Sequence, residues 1–409
     1  MRGTHDMHRK LLFLLALLLL PALALADTTI TLTFTGDVTL GGEDYLRGDP
    51  ESFQSVYAEN GPEYFLANFA DFFAEDDLTI INLEGVLTDN EALQPMDKGK
   101  GTEPGAGYWF RGKTEYVKAL TSASVEVASL ANNHTLDYGE AGLRDTIKTL
   151  EGAGIEWFGT YDKHQNDTER FFFYEKDGVT VAFISLYWEN YLQGNPDGCG
   201  AWLSQEIKAI KDSGRADAVV AILHGGQEYG RHRTKPQKVF TAMAMKAGAD
   251  LVICHHAHVV MGMDVISNRS AVYSLGNFCF GGNRSAYLVK STKKNPVQDA
   301  SPALIVRAVL TFGDDGSYKG QQLTLYPIQT TSVDRNGADT QRNDFQPKFI
   351  TGPLAANVLH LMQVDMNYDL KDKVNRDLKA LVVDEENKLL TMDSSDGMFS
   401  LTLPYLPAE

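Results

Sequence analysis

The sequence predicts an α/β protein with strands running in mixed directions. Three observations carry this. Short runs rich in β-branched and aromatic residues alternate with amphipathic segments from residue 28 to residue 328. Several of these runs stop abruptly at polar motifs rich in Gly, Asp, Asn and His. The 409 residues have the composition of a globular chain and are enough for a large core. Alternating strands and helices bury their apolar faces as a sheet covered by helices.

The elements follow in order. Residues 28–34 alternate, with Ile30, Leu32 and Phe34 on one face, and lead to Gly36-Asp37. A helical stretch is expected over 63–73. A strand over 78–83 ends in Asn82-Leu83-Glu84-Gly85. The Gly/Pro-rich segment 94–107 reads as a loop able to overhang a site. After a helical segment at 114–122, the strand 125–130 ends in Ala131-Asn132-Asn133-His134. Leu143, Ile147 and Leu150 mark a helix over 139–152, and Gly154-Ile155 begins a short strand. Strand 179–187 and helix 204–213 follow. The strand 218–223 reaches His224-Gly225-Gly226, and the helix 235–247 closes at Gly248. The strand 250–254 runs into His255-His256-Ala257-His258, and 271–275 runs into Gly276-Asn277-Phe278. Long alternating strands are expected at 303–312 and 321–328. A main domain over 27–330 is therefore followed by an extension over 331–409. In it a polar loop, a helix at 353–364 and a hairpin of 378–383 with 389–392 are expected, without visible chemistry.

Residues 1–26 read as a signal peptide. Arg2, Arg9 and Lys10 precede the apolar run 11–20, and Ala24-Leu25-Ala26 supplies an A-x-A cleavage site. Export to the periplasm, cell surface or exterior is expected, with an uncleaved membrane anchor as the alternative. No Cys stands at the cleavage site to carry a lipid. The formal charge of −17 becomes −19 without this segment, which holds three basic residues and one acidic one. So acidic a chain is a poor generic binder of nucleic acid or anionic lipid. Cys199, Cys254 and Cys279 are too few and odd in number for a disulfide framework.

Five strand ends carry side chains suited to a cation: Asp37, Glu84, Asn133 with His134, His224, and the pair His256 and His258. Imidazole is the commonest metal ligand. Strands in register would bring these groups together at their C-terminal ends, where open α/β sheets bind ligands. Three imidazoles within four residues are either a metal or phosphate site or a polar loop. Asp137 would either steady His134 or cap the helix that begins near Gly139. Arg111 and Lys113 would bind an anionic substrate or be solvated loop charges. Trp109, Tyr187 and Trp188 would line a cleft or pack in the core. His164, His232 and His360 are assigned to the surface.

The ordered motifs resemble the calcineurin-like metallophosphoesterase superfamily and, more closely, the bacterial capsule-synthesis (CapA, poly-γ-glutamate biosynthesis) family. The matching residues are Gly36-Asp37, Asn82-Leu83-Glu84, Leu130 to His134 with Asp137-Tyr138-Gly139, His224 to Tyr229, His255 to His258, and Ser274 to Phe278. The resemblance covers about residues 28–328. It implies a four-layer α-β-β-α sandwich. It places one metal between Asp37, Glu84 and His258. A second would sit among Glu84, Asn133, His224 and His256, with Glu84 shared. His134 would protonate the leaving group or hold the attacked oxygen, and a metal-activated water would be the nucleophile. His255, Glu228 and Asn277 become supporting or substrate-contacting candidates. One or two ions of Mn, Fe or Zn suit this nitrogen and oxygen set.

The chain departs from the superfamily pattern at four points. Asp37-Val38-Thr39 replaces Asp-x-His, Glu84 replaces a bridging Asp, and Cys254 replaces a Gly, offering a possible extra ligand. Gly225 stands where a Trp is usual, which would widen the pocket. The resemblance implies an exported hydrolase of a phosphoester, or of an amide or ester bond in a cell-envelope polymer. The alternative is a non-catalytic component of a polymer assembly. Expected partners are an anionic surface polymer or small phosphoester and membrane-associated polymer-synthesis proteins, with no nucleic acid.

Overall fold

The computed structural model describes residues 27–99, 101–104, 106–159, 171–188, 196–230, 232–266, 269–282, 301–333, 343–369, 382–384, 389–393 and 399–404. The signal peptide over 1–26, His164, and residues 378–381 of the expected hairpin lie outside the described residues.

Period-2 alternation builds the layers. Ile30, Leu32, Phe34, Leu78 and Ile80 point from one sheet into an inner cluster, where they meet Val220, Ile222, Leu251 and Ile253 of a second sheet. Their neighbours point outward. Ile81 and Leu83 pack with Phe65, Phe69, Leu143 and Leu150 of the helical layer on the first sheet. Val219, Ala221, Val252 and Cys254 pack with Leu203, Ile207, Phe240 and Ala244 of the helices on the second. Each Val, Leu, Ile or Phe among these gains about 1.5–3 kcal/mol on full burial, so the alternation commits both sheets to being covered on both faces. The result is the four-layer α-β-β-α sandwich.

The first sheet runs, in spatial order, Val382–Asp384, Leu389–Asp393, Phe399–Pro404, Tyr318–Gln329, Pro302–Phe312, Thr28–Thr39, Leu78–Leu83, Val127–Ser129, Glu156–Phe158. Asn277–Phe280 also pairs with Thr28–Thr39. The second runs Met263–Ile266, Arg269–Val272, Leu251–His255, Ala218–His224, Val179–Tyr187, Phe171–Lys176. Thr28–Thr39 is parallel to Leu78–Leu83 and antiparallel to Pro302–Phe312, so directions are mixed as expected.

Some elements differ from expectation. Over 63–73 the structure has a 3₁₀ turn at Pro62–Tyr64 and one helical turn at Ala70–Phe73. Phe65, Phe69 and Phe73 are wholly buried there, and their packing overrides helical propensity. The true helix lies upstream at Phe53–Asn60, opened by the Ser52 side chain and closed by Gly61 at φ 81°. Helix Gly139–Gly152 has the expected bounds. So does Lys235–Ala247, which Thr234 and Gln237 open as a capping box. Beyond residue 330, helix Gly352–Asp369 buries Val358 and Met362 in the inner cluster. Val382–Asp384 pairs with Leu389–Asp393, and Phe399–Pro404 joins Tyr318–Gln329 in parallel. The C-terminal segment thus continues the first sheet.

Candidate metal centre

Register sets the site. Asp37 faces Asn82 across one strand pair and Asn277 across another. His224 faces His255, with Tyr187 on the other side. Gly36 permits the close approach of the Gly276 backbone, since a Cβ there would lie 2.2 Å from the Gly276 carbonyl oxygen. After His255 the strand breaks: His256 takes φ 90° and His258 φ 57°, left-handed values that non-glycine residues seldom adopt. These turns aim both rings at the carboxylates.

Two sets of donors result. Asp37, Glu84 and His258 form one, and Glu84, His224 and His256 the other, with the ligand atoms of each set within 4.8 Å of one another. His224 Nε2 lies 2.7 Å from Asn133 Oδ1, 3.1 Å from His256 Nδ1 and 3.7 Å from Glu84 Oε1. A cation with bonds of about 2.1 Å keeps its donors about 3–3.5 Å apart. His258 Nε2 lies 4.0 Å from Glu84 Oε1, and its Nδ1 lies 3.2 Å from Asp37 Oδ2 and 2.8 Å from Asn277 Oδ1. These are the groupings that the resemblance implies, with Glu84 common to both.

Glu84 supplies the test of fit. Its carboxylate is fully buried, and neither oxygen has a hydrogen-bond partner. Burial, and then the charge of Asp37, push its pKa well above the ordinary carboxyl value. An uncompensated buried carboxylate is costly, and a cation among the surrounding donors removes that cost. For Asp37, burial pushes the pKa up, but His255 and His258 together hold it well below the usual range. Burial, then neighbouring His256, lowers His224, and burial takes His256 down to about 4, leaving both neutral and able to ligate. His258 moves the other way: burial opposes its charge, but Glu84 and Asp37 raise it well above the usual value.

His134 stands beside this cluster. Its Nε2 lies 3.8 Å from Glu84 Oε1, and its Nδ1 lies 2.7 Å from Asp137 Oδ2. Burial lowers its pKa, and Asp137 opposes the shift. Asp137 therefore steadies His134. It is not the cap of helix Gly139–Gly152, whose N-cap is Tyr138. Asp137 also accepts from the Phe110 backbone at 2.6 Å and meets Lys98 Nζ at 2.5 Å. Lys98 comes from the 94–107 loop, which does reach the site as expected. The Phe110 ring stacks on His134 at 4.1 Å between centroids.

The remaining expectations divide. His255 is buried, with Nδ1 3.0 Å from Asp37 Oδ1. Glu228 is exposed, and its charge acts on Glu84 and His256. Arg111 corrects both expectations for it. It is buried, Nε donates to Asp44 at 3.1 Å, Nη1 donates to the Asn90 carbonyl, and the guanidinium covers the Tyr138 ring. Lys113 is part-exposed beside Glu115. Tyr187 borders the cluster at 5.5 Å from the His224 ring, whereas Trp109 and Trp188 are core. Cys254 is no ligand here: it faces the outer helix beside Thr241, and burial raises its thiol to about 12. His232 is half-buried near Asp365, and His360 is exposed.

Gly225 does not widen the pocket. A Cβ on it would lie 2.4 Å from the Trp188 indole, so the Trp that follows strand Val179–Tyr187 fills that space.

Sequence reasoning missed Lys98, Asn82 and Asn132 as site residues. Asn82 donates to Asp37 Oδ1 at 2.8 Å and accepts from Asn132 Nδ2 at 3.1 Å; Asn132 also accepts from the His134 backbone. A polar Asn82 at the end of a wholly buried strand was the available signal.

The model of the family described as bacterial capsule synthesis protein PGA_cap matches residues 31–282. The capsule biosynthesis protein CapA of Bacillus anthracis is 29% identical over 268 residues, covering 61% of this chain and 60% of that protein. The PGA biosynthesis protein CapA of Bacillus subtilis is 25% identical over 261 residues, covering 62% and 64%. The match thus spans less than two thirds of these relatives. A phosphatase structure from Mycoplasma pneumoniae aligns with a TM-score of 0.41 and 11% identity, over 74% of this chain and 95% of that one.

Proposed function

Because the chain belongs to the bacterial capsule synthesis protein family, we propose that it is an exported, metal-dependent hydrolase serving capsule or poly-γ-glutamate production. Its substrate is a phosphoester, or an amide or ester bond in an anionic cell-envelope polymer. The observation that carries the metal reading is the Glu84 carboxylate, buried among four histidines and without a hydrogen-bond partner. Asp37, Glu84 and His258 would hold one divalent ion, and Glu84, Asn133, His224 and His256 another. Such an ion, Mn, Fe or Zn, supplies Lewis acidity and lowers the pKa of water.

The chain's own residues do the rest. Asp137 fixes the His134 ring through Nδ1, which leaves Nε2 facing the cluster to hold or deliver a proton to the leaving group. Lys98 anchors the loop over this pair. Phe110 and Tyr187 wall the site with apolar surface, which excludes water. Export rests on residues 1–26. Among the described residues no helix is long and apolar enough to cross a membrane.

A second reading is a non-catalytic component that binds polymer, or a membrane-associated synthesis protein, through the same ion. Thr39 favours it. Its hydroxyl donates to the Glu84 backbone carbonyl at 2.8 Å, so the first ion gains no ligand where the superfamily has His.

The test is to measure bound metal and Mn-dependent turnover of generic phosphoesters and of poly-γ-glutamate, for the parent and His134→Ala. The hydrolase reading expects turnover to fall about 10²–10⁴-fold in His134→Ala with metal content unchanged. Stoichiometric metal without turnover on either substrate class favours the second reading.

A further inference from the structure

Beyond residue 330 lies one carboxylate that ties together both loops leaving the histidine strands. We propose that Asp365, on helix Gly352–Asp369, is a positioning residue for the metal centre, acting through Arg233 and Gly262. The inference rests on the metal reading of the histidine cluster.

Asp365 is fully buried. Its Oδ1 accepts from the Arg233 backbone at 3.0 Å, and its Oδ2 accepts from the Gly262 backbone at 2.8 Å. Arg233 Nε lies 2.9 Å from the same Oδ2, and Arg233 Nη1 donates to Asp264 at 2.7 Å. Tyr273 donates to the other oxygen of Asp264 at 2.7 Å and lies under the Arg233 guanidinium. Gly262 follows His258 by four residues, and Arg233 follows His224 by nine. One carboxylate thus fixes the far ends of both loops. The Tyr229 amide joins the same loops nearer the metal, donating to the Ala257 carbonyl at 2.8 Å.

His256 and His258 need such an anchor. Their left-handed backbone persists only where the surroundings impose it. Groups that orient metal ligands from behind typically change affinity about 10–100-fold when removed. A purely structural helix would pack on the sheet without reaching these loops. Val358 and Met362 already provide that packing.

The experiment compares the full chain with Asp365→Ala, Asp365→Asn and Met362→Ala. Asn keeps the volume but replaces one acceptor by a donor facing a donor, so it covers the case in which Ala fails to fold. Mn affinity is read by calorimetry, and amide exchange by mass spectrometry over residues 225–230 and 257–262. Expected is about tenfold or greater loss of Mn affinity in the Asp365 variants, with faster exchange in both loops. Met362→Ala should lose stability yet keep parental Mn affinity. Parental affinity and parental exchange in Asp365→Asn overturn the proposal. So does an equal loss of affinity in Met362→Ala, which reduces the effect to global stability. If the parent binds no Mn, the metal reading fails by itself. Exchange then decides the clamp alone: faster in the Asp365 variants supports it, unchanged refutes it.

Discussion

Replacing Glu84 by Gln removes one negative charge while keeping the side-chain volume. In the metal-free protein burial and the charge of Asp37 oppose ionisation of Glu84, and neither oxygen has a hydrogen-bond partner. An unsatisfied buried polar group costs about 1–3 kcal/mol, and more when charged. The metal-free variant should therefore be more stable than the parent, by about 1–2 kcal/mol. The metal-bound state moves oppositely. Glu84 belongs to both donor sets, and stripping one partner from a buried charge costs about 3–5 kcal/mol. At about 1.4 kcal/mol per tenfold, Mn affinity falls roughly 10²-fold or more. Metal at 100 times its dissociation constant adds about 2.7 kcal/mol to the parent. With an unfolding entropy near 2.1 cal/mol/K per residue, that is about 4 °C in Tm over the roughly 300 described residues. Thermal unfolding with EDTA and with Mn reads both effects. The parent should gain about 4 °C with Mn, whereas Glu84→Gln should begin higher in EDTA and gain nothing. A variant that is less stable in EDTA, or that keeps the Mn increment, refutes the reasoning.

Two further outcomes follow from packing and charge. Burial raises the Glu126 carboxyl to about 7, against an opposing hydrogen bond from the Thr79 backbone. A raised acid pKa means that the folded state holds the proton more tightly, so stability falls as pH rises from about 4.5 toward 7. Glu126→Gln should flatten the change in urea midpoint across that window, and an unchanged pH slope would count against this account. Gly225→Ala should destabilise by about 1–3 kcal/mol, because the new Cβ meets Trp188 at 2.4 Å and φ is 141°. A urea midpoint equal to the parent's would show that Trp188 yields freely.

The ligand-bearing strand ends were legible because each marks a sharp change from an apolar run to a polar motif. Leu78–Leu83 into Glu84 and Leu251–His255 into His256 read directly as buried strands that stop at chemistry. Layering was legible for the same reason: side chains at i and i+2 had to share a face. The supporting shell was not. Lys98 reaches Asp137 from a loop whose sequence says only that it is irregular. Asp365 meets Gly262 across 103 residues, and no local pattern encodes that contact. Trp188 over Gly225 is a substitution in space, invisible to any reading that compares residues at one motif position. The helix expected at 63–73 failed because five aromatic rings, Tyr64, Phe65, Phe69, Phe72 and Phe73, found better burial in turns than along one helical face.

Charge links the number of ions to the kind of substrate. The chain carries a formal charge of −17, and a polyanion approaching it meets repulsion unless the site is locally positive. Asp37 and Glu84 bring two negative charges to the centre. With both donor sets filled by divalent ions, these charges are cancelled twice over and the centre is doubly positive. With only the Glu84, Asn133, His224 and His256 set filled, a proton on His258 beside Asp37 takes the place of the missing ion. The centre then keeps a single positive charge. Without any ion, a proton on His258 offsets only one of the two carboxylate charges, and the charge of Glu228 adds to what remains. In either proposed reading, polyanion binding would thus require the loaded protein. It would rise with occupancy, and the long-range part of the attraction would weaken with salt. If the proposed polymer is the ligand, occupancy of the Asp37 set, where Thr39 bonds the Glu84 carbonyl rather than facing the site, would separate tight from weak binding.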